Sequence, residues 1–547
     1  MDKTSDTHPL RIDLLQIPHV KGELGLTFCP GKKGKGLYSG NWNRDLDKDL
    51  AEIERWGAQV LVSLIEDHEF ELLGVDDFRE RVARKNLQWF HLPIVDVSTP
   101  DDRFESAWET VGNRIRGILC SGGKVVFHCR GGLGRTGLLA ARILVDFGLE
   151  PDKAIEQVRQ ARPGAIETRE QEHHVHAYHA KHAQRTLDHY LGCLLGGAVG
   201  DALGAAIEFD SLAEIRKRFG PAGIQDYAEA FGKVGAITDD TQMTLFTAEG
   251  LLRAVSRAQD KGIGPSFVSC THYAYRRWLV TQGEAEKNQV SMDGWLAHTP
   301  ELHSRRAPGN TCLSSLRHDR PFLLDNSGSR HNDSKGCGAV MRMAPVGLLF
   351  QSHFMCRVMD PGMRDRESFK VGRDLGYLTH GHPSGYLPAA CLVMMIGRII
   401  DGDDLNVAID NTLDILKEHP GGEETEATVK KACEFAADPE LPHSAETVEK
   451  LGEGWVGEEA LAIAIYCALV AGNDFDLGIR LAVNHSGDSD STGAIAGNIL
   501  GALLGRKAIA ERWLGRLELR QVIEQVATDL FLGFEDDDDW WRRYPGY

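Results

Sequence analysis

The chain lacks the features that would tie it to an oxidising compartment, a membrane or a polyanion. Its 11 cysteines contain no Cys-x-x-Cys pair and no repeated spacing, which argues against a disulfide framework or structural zinc and favours reduced thiols. No stretch is both apolar and uncharged over the length a membrane-spanning helix needs; the nearest, 191–209, is interrupted by Asp201 and Glu208 and is rich in small residues. Basic charge is also short: 61 Lys and Arg stand against 80 Asp and Glu, a formal net charge of −19. Diffuse binding of nucleic acid or of an anionic membrane is therefore not expected, and any phosphate site has to be a local pocket. The segment Met1-Asp2-Lys3-Thr4-Ser5-Asp6 shows no charged-then-apolar signal pattern, so a cytoplasmic location is expected.

With 547 residues, 42% of them hydrophobic, the chain exceeds what one core usually fills, and two domains are expected. Between Gln59 and Asp96 the pattern reads strand (59–65), helix (Asp76 to Arg84), strand (Gln88 to Ile94). A third apolar run, Val125-Val126-Phe127, ends at a glycine-rich loop, after which Leu138, Leu139, Ile143 and Leu144 fall at helical spacing. This is an α/β unit with a loop at the carboxyl end of a strand, where such folds place ligands. Composition changes around Lys181 to Leu187. The residues beyond are rich in Ala, Gly and Leu, with helical runs such as 457–470 and 492–504 and no strand alternation. The expected architecture is multidomain, α/β over 1–185 and all-α over 186–535. The tail 536–547 mixes a charge run with aromatics, and its tryptophans are expected to dock on the preceding domain.

The loop His128-Cys129-Arg130-Gly131-Gly132-Leu133-Gly134-Arg135-Thr136 carries the first chemistry. Its glycines allow the backbone of Arg130, Gly131, Gly132, Leu133 and Gly134 to curl so that successive N–H groups face one cavity at a helix N-terminus. A phosphate monoester fits such a cavity. The same donors and Arg135 favour the thiolate of Cys129 as nucleophile, Arg135 can grip two phosphate oxygens, and Thr136 is placed to donate a hydrogen bond to the sulfur. A structural cysteine beside a glycine turn would explain Cys129 but not the arginine six residues on.

These residues match the Cys-x5-Arg signature, and the first domain resembles the protein tyrosine phosphatase superfamily, in particular its cyclin-dependent-kinase-inhibitor-3 branch of dual-specificity phosphatases. Leu92-Pro93-Ile94-Val95-Asp96 and Gly164-Ala165-Ile166-Glu167-Thr168 with Gln171 extend the match. The resemblance implies that Asp96 is the general acid, with Asp101 and Asp102 as nearby rivals, and that Gln171 positions the hydrolytic water.

Two acidic clusters stand out beyond residue 186: Thr238-Asp239-Asp240-Thr241 and Gly487-Asp488-Ser489-Asp490-Ser491-Thr492-Gly493. Either alone reads as a helix N-cap. Adjacent carboxylates repeated at two caps are costly unless a cation bridges them, and oxygen ligands without a cysteine suit Mg²⁺ or Mn²⁺ rather than zinc. With Gly196-Gly197-Ala198-Val199-Gly200-Asp201 leading to Glu208, Pro308-Gly309-Asn310-Thr311, Ser334-Lys335-Gly336-Cys337-Gly338 and Thr379-His380-Gly381-His382-Pro383, the clusters resemble the ADP-ribosylglycohydrolase family, including dinitrogenase-reductase-activating glycohydrolase.

That resemblance implies an all-α fold holding two divalent ions on Thr238, Asp239, Asp240, Asp488, Asp490 and Ser491, with Glu208 as a glutamate near the metals. It also implies that the loop Ser334, Lys335, Gly336, Cys337, Gly338 cradles a diphosphate and that His380 or His382 contacts the distal ribose or adenine. The expected function is a bifunctional hydrolase acting on phosphorylated and ADP-ribosylated proteins or small molecules. The alternatives are a reader of phosphate or ADP-ribose, or sequential processing of a phosphorylated ADP-ribose.

Overall fold

The computed structural model describes residues 2–17, 22–36, 40–120, 122–147, 149–182, 186–286, 288, 290–324 and 330–546. The chain divides into two units, Met1–Thr186 with Cys356–Asp360, and Leu187–Met355 with Pro361–Tyr547. The boundary expected at 185/186 adjoins residues 183–185, which lie outside the described residues.

The first unit has the strands β1 Asp13–Gln16, β2 Glu23–Phe28, β3 Lys33–Gly36, β4 Gly40–Asn43, β5 Val60–Ser63, β6 Gln88–His91 and β7 Lys124–Cys129. β3 and β4 pair with each other, and the rest form one sheet in the order β1-β2-β7-β5-β6. β2, β7, β5 and β6 run parallel, with β1 antiparallel at one edge. β7 is paired on both sides and Val125 to Cys129 are buried, so its apolar run is continuous where an edge strand would alternate. The parallel register sets Phe28 beside Cys129 and Ser63 beside His128, which opens the cysteine loop at the carboxyl edge of the sheet.

This is the α/β unit expected, with shorter elements: the 59–65 and 88–94 runs pair only over β5 and β6, and the 76–84 helix shrinks to Phe78–Val82. β1 to β4 lie before the first pattern read from sequence. β2, Glu-Leu-Gly-Leu-Thr-Phe, is covered on both faces by its central position and so carries no alternation.

The second unit is mostly helical. It departs from all-α, among the described residues, at the strands Glu229–Ala230 and Lys233–Val234 and at one bridge between Gly336 and Val456. The small hairpin closes on Phe231 and Gly232 with φ of 52° and 79°, the two positive values a tight primed turn needs.

Two helices, Leu187–Gly204 and Ser489–Leu504, pack antiparallel with their backbones in contact. Gly192, Gly196 and Gly200 face Gly501, Gly497 and Gly493; a Cβ at these three positions would lie 2.3, 2.3 and 1.9 Å from the opposing carbonyl oxygens. The small residues that broke up the 191–209 run are this contact. It brings the end of one helix, with Glu208 just beyond, against the start of the other, where Asp488 and Asp490 stand.

Another helix, Pro383–Asp401, is long and apolar enough to cross a membrane; 89% of its apolar window is buried inside the unit, as in a core helix. At the tail, Asp537 caps a short helix, Asp538–Arg543, by accepting from the Trp540 N–H at 2.8 Å. Trp540 is fully buried and donates through Nε1 to Ser256 Oγ at 2.9 Å, while the Tyr544 hydroxyl donates to Asp529 at 2.7 Å, so the segment docks through Trp540 and Tyr544.

Candidate active sites of the two units

In the first unit the loop between β7 and the helix Gly134–Asp146 wraps its own sulfur: the Gly132 N–H donates to Cys129 Sγ at 3.2 Å. The carbonyls on the outside of the loop are held by cations. Lys32 Nζ donates to the Arg130 carbonyl at 3.5 Å, and Arg162 donates through Nη2 to the Gly131 carbonyl at 3.0 Å and through Nε to the Gly132 carbonyl. Arg162 is tied back to Asp13 at 2.5 Å. Gly132 sits at φ 70° with its missing Cβ 2.3 Å from the Thr27 carbonyl oxygen, so no side chain fits there.

Arg135 is buried and fixed by Glu69, which accepts from Nη1 at 2.6 Å and from Nη2 at 2.9 Å, and by the Ile94 carbonyl at 2.9 Å. Burial opposes ionisation of Glu69, but the bonds from Arg135 and from the Glu66 N–H prevail and hold its carboxyl below the usual range. Asp96 reaches the same guanidinium, 2.8 Å from Nη2, and is half-exposed, so a leaving group can meet it. Its rival Asp101 is spent capping, accepting from the Phe104 N–H at 2.8 Å. His128 is neutral: burial pushes it down to about 3, and its Nε2 pairs with Ser63 Oγ at 2.6 Å.

Two expectations fare differently. Thr136 Oγ1 is buried and makes no hydrogen bond, so the expected bond to sulfur is not formed. Gln171 uses both ends of its amide on the backbone, donating to the Ser98 carbonyl at 3.1 Å and accepting from the Glu167 N–H at 2.9 Å. Glu69, Lys32 and Arg162 were not singled out from sequence; Glu69 lies 66 residues from its partner, and no spacing rule connects them.

In the second unit Glu208, Asp239, Asp240, Asp488, Asp490 and Ser491 line one cavity of about 180 Å³. Glu208, Asp488 and Asp490 offer carboxylate oxygens within 4.8 Å of one another. Asp240 Oδ2 is buried with no hydrogen-bond partner. Burial, reinforced by Asp488, Asp239 and Asp201, pushes Glu208 up to about 9; burial and neighbouring carboxylates also raise Asp239, Asp240 and Asp490 well above the usual range. Crowded, desolvated carboxylates with an unused oxygen are what a divalent cation relieves, so these residues fit the ion that the sequence implies.

Both cap readings are also realised. Thr238 Oγ1 accepts from the Asp240 N–H at 3.2 Å and is not among the cavity-lining residues, and Asp488 accepts from the Ser491 N–H at 3.4 Å. Beneath the cluster, buried Asp201 accepts from the Thr238 and Thr241 N–H groups and from Thr241 Oγ1 at 2.5 Å, anchoring the start of the helix Asp239–Lys261.

Of the glycine loop, Gly336, Cys337 and Gly338 line the cavity, whereas Ser334 and Lys335 do not. Lys335 is paired with Glu424 at 2.7 Å, and Ser334 Oγ accepts from the Gly336 N–H at 3.3 Å, shaping the turn from behind. The two histidines separate. His380 lines the cavity, and burial with the nearby Arg342 pushes it down to about 3. Thr379 Oγ1 accepts from Arg342 at 2.7 Å and meets His380 Nδ1 at 2.8 Å, which holds the imidazole in place on the cavity wall. His382 instead caps the helix Pro383–Asp401, its Nδ1 accepting from the Ser384 N–H at 3.1 Å.

A match to the family described as ADP-ribosylglycohydrolase spans residues 182–539, and one described as Swiss Army Knife protein, DSP-PTPase phosphatase domain, spans residues 47–175. An uncharacterized protein of Archaeoglobus fulgidus is 28% identical over 350 residues, covering 62% of this chain and 95% of its own length. ADP-ribosyl-[dinitrogen reductase] glycohydrolase of Rhodospirillum rubrum is 26% identical over 354 residues, 63% of this chain and 96% of its own. Cyclin-dependent kinase inhibitor 3 of Mus musculus is 30% identical over 177 residues, 32% of this chain and 80% of its own. The chain belongs to the ADP-ribosylglycohydrolase family and carries, ahead of that domain, a dual-specificity phosphatase domain similar to cyclin-dependent kinase inhibitor 3, so that both of its domains are of hydrolase families.

Proposed function

We propose that the chain is a bifunctional hydrolase that removes phosphate from monoesters at Cys129 and cleaves ADP-ribosyl glycosidic bonds in a reaction dependent on two divalent ions, Mg²⁺ or Mn²⁺. The observation that carries the second half is the set of carboxylates from Glu208, Asp239, Asp240, Asp488 and Asp490 gathered on one small cavity with an oxygen of Asp240 unspent.

In the first site, Cys129 Sγ attacks phosphorus and the P–O bond to the leaving group breaks, with Asp96 giving that oxygen its proton. Arg135, locked by Glu69, and the inward N–H groups of the loop hold the charge that builds on the phosphoryl oxygens. Water then cleaves the phosphocysteine, releasing phosphate.

In the second site, Asp239, Asp240, Asp488, Asp490 and Ser491 would hold the ions, with Glu208 beside them. Bound cations there supply Lewis acidity and hold vicinal ribose hydroxyls. The chain's own part is orientation: the narrow turn at Gly336 and Gly338 walls the cavity beside the diphosphate of the ligand and His380 stands toward its distal ribose or adenine, while Asp201 keeps Asp239 and Asp240 aimed into the cavity. Phosphorylated and ADP-ribosylated proteins or small molecules are the substrates in this reading. A reducing cytoplasm goes with this reading, supported by cysteines that are scattered singly with no Cys-x-x-Cys pair.

The test is release of free ADP-ribose from arginine- and serine-ADP-ribosylated peptides, with Mg²⁺ or Mn²⁺ and then with EDTA, alongside release of phosphate from phosphopeptides. Metal-dependent ADP-ribose release lost in Asp488→Ala, with phosphate release lost in Cys129→Ser, is expected. Hydrolysis that survives both substitutions would sink the proposal.

A further inference from the structure

Among the described residues five other than glycine have a positive φ, and only Val97 at 61° and Ile166 at 59° are β-branched, the kind of side chain that suits this conformation least. Both stand against the phosphatase loop. The Ile166 N–H donates to the Leu133 carbonyl at 3.3 Å, and Arg159 Nη2 donates to the Ile166 carbonyl at 2.9 Å. Val97 is the third residue of a turn closed by the Ser98 N–H on the Val95 carbonyl at 3.1 Å, a position where a positive φ calls for Gly or Asn. The second residue of that turn is Asp96, whose Oδ1 accepts from the Val97 N–H at 3.1 Å and lies 2.8 Å from Arg135 Nη2. The Val97 side chain is 60% exposed, so packing does not hold the strained turn.

One buried side chain joins the two turns. Gln171 donates through Nε2 to the Ser98 carbonyl at 3.1 Å and accepts at Oε1 from the Glu167 N–H at 2.9 Å. It lies fully buried in the first turn of the helix Arg169–His182, where its own N–H donates to Thr168 Oγ1 at 3.1 Å. It also packs directly on the phosphatase loop, because a Cβ at Gly134 would lie 3.0 Å from its Nε2. Strained backbone persists only where its surroundings hold it, and the Gln171 amide supplies that hold from a helix. We propose that Gln171 is a positioning residue that latches the strained Val97 turn to the phosphatase loop and so aims Asp96 at the leaving oxygen. With its oxygen and its nitrogen both bound to main chain, it acts through the acid and not on the hydrolytic water. The proposal rests on the reading of Asp96 as the proton donor.

The experiment is a double-mutant cycle in the full chain between Gln171→Met, which keeps the side chain's size and removes both bonds, and Asp96→Asn. Each variant is assayed on a phosphoserine peptide, whose leaving group needs a proton, and on p-nitrophenyl phosphate, whose leaving group needs one less. Circular dichroism checks folding; should Gln171→Met not fold, Gln171→Glu, which keeps the acceptor for the Glu167 N–H and loses the amide donor, goes through the same cycle. Gln171→Met is expected to lower kcat/KM on the peptide roughly 10- to 100-fold and on p-nitrophenyl phosphate only a fewfold. In the Asp96→Asn background the same substitution is expected to cost no more than about twofold, because the group it positions is gone. Val97→Asn, which takes a positive φ more readily, is expected to restore most of the peptide activity lost in Gln171→Met. No loss in Gln171→Met, or a loss equal on both substrates and additive with Asp96→Asn, would overturn the latch and leave Asp96 as the acid. A pre-steady-state burst of p-nitrophenol in Gln171→Met would also overturn it, since slow hydrolysis of the phosphocysteine assigns Gln171 to the water. Asp96→Asn without effect on either substrate would overturn the acid reading and the latch together, which separates the two failures.

Discussion

Arg162 shows how far from a motif a residue can sit and still shape it. Its guanidinium forks onto the carbonyls of Gly131 and Gly132 while Asp13 holds its far side, and on the inner side of the loop the Gly132 N–H faces the sulfur. Lysine keeps the charge for Asp13 but cannot span two carbonyls. Arg162→Lys is therefore expected to lower kcat on p-nitrophenyl phosphate roughly 10- to 100-fold through misplacement of the loop, with little change in melting temperature. Unchanged kcat would mean that the loop holds its own shape. Asp96→Asn tests a different role. If Asp96 protonates the leaving oxygen, phosphoserine peptide hydrolysis falls by about 10²–10⁴, while an aryl phosphate with a good leaving group falls less. Equal loss on both substrates would leave Asp96 a binding residue.

Lys32 adds a pH dependence to the same loop. Burial pushes its ammonium down to about 8, and the groups that face it are Cys29, Arg44, Cys129 and Arg162. Its positive charge is present below about 8 and lost above, while sulfate keeps its two charges throughout. In the Cys129→Ser background, sulfate binding is expected to weaken a fewfold between pH 7 and 9, and Lys32→Arg, always charged, to remove that limb. A flat profile in the Lys32 protein would place its charge outside the phosphate's reach. Cys129 and Arg135 were legible in the sequence because one strand, one loop and one helix N-terminus fix their spacing. Glu69, Arg162 and Lys32 meet them only through the sheet, and nothing local marks them.

At the scale of elements, the glycines at 192, 196 and 200 repeat every four residues, which puts them on one face of a helix, and their partners at 493, 497 and 501 do the same. Small-residue composition was visible in the sequence; that the two stripes face each other was not, because it pairs segments some 300 residues apart. The contact sets the distance between Glu208 and the Asp488 turn. Gly200→Ala places a Cβ 1.9 Å from the Gly493 carbonyl oxygen, which neither helix can yield without moving. A stability loss of about 3 kcal/mol in urea unfolding is expected, together with weaker binding of divalent cations. An unchanged midpoint would mean that the helices stand further apart than described. The strands β1 to β4 illustrate the opposite case: short, glycine-containing or buried on both faces, they carry no period from which an element could be read, although β2 is the direct neighbour of the catalytic strand.

Across the whole molecule, each site is complete within one unit. Cys129, Glu69, Asp96, Arg135 and Arg162 all belong to the first, and Glu208, Asp239, Asp240, Asp488, Asp490 and Cys337 to the second. The two chemistries also need different things, a thiolate and a proton donor in one case, crowded carboxylates relieved by cations in the other. Cation binding should thus stabilise only one of two unfolding transitions. At 100 times its dissociation constant, Mn²⁺ is expected to add about 2.7 kcal/mol to the transition carrying the second unit. EDTA should return that transition to its starting point and leave phosphate release from phosphopeptides untouched. Differential scanning calorimetry of the full chain, assigned with Asp488→Ala, reads this directly. A shift of both transitions by Mn²⁺, or loss of phosphatase activity in EDTA, would mean that the domains are energetically coupled, and the joint processing of one phosphorylated ADP-ribose substrate would then become the stronger account of why they share a chain.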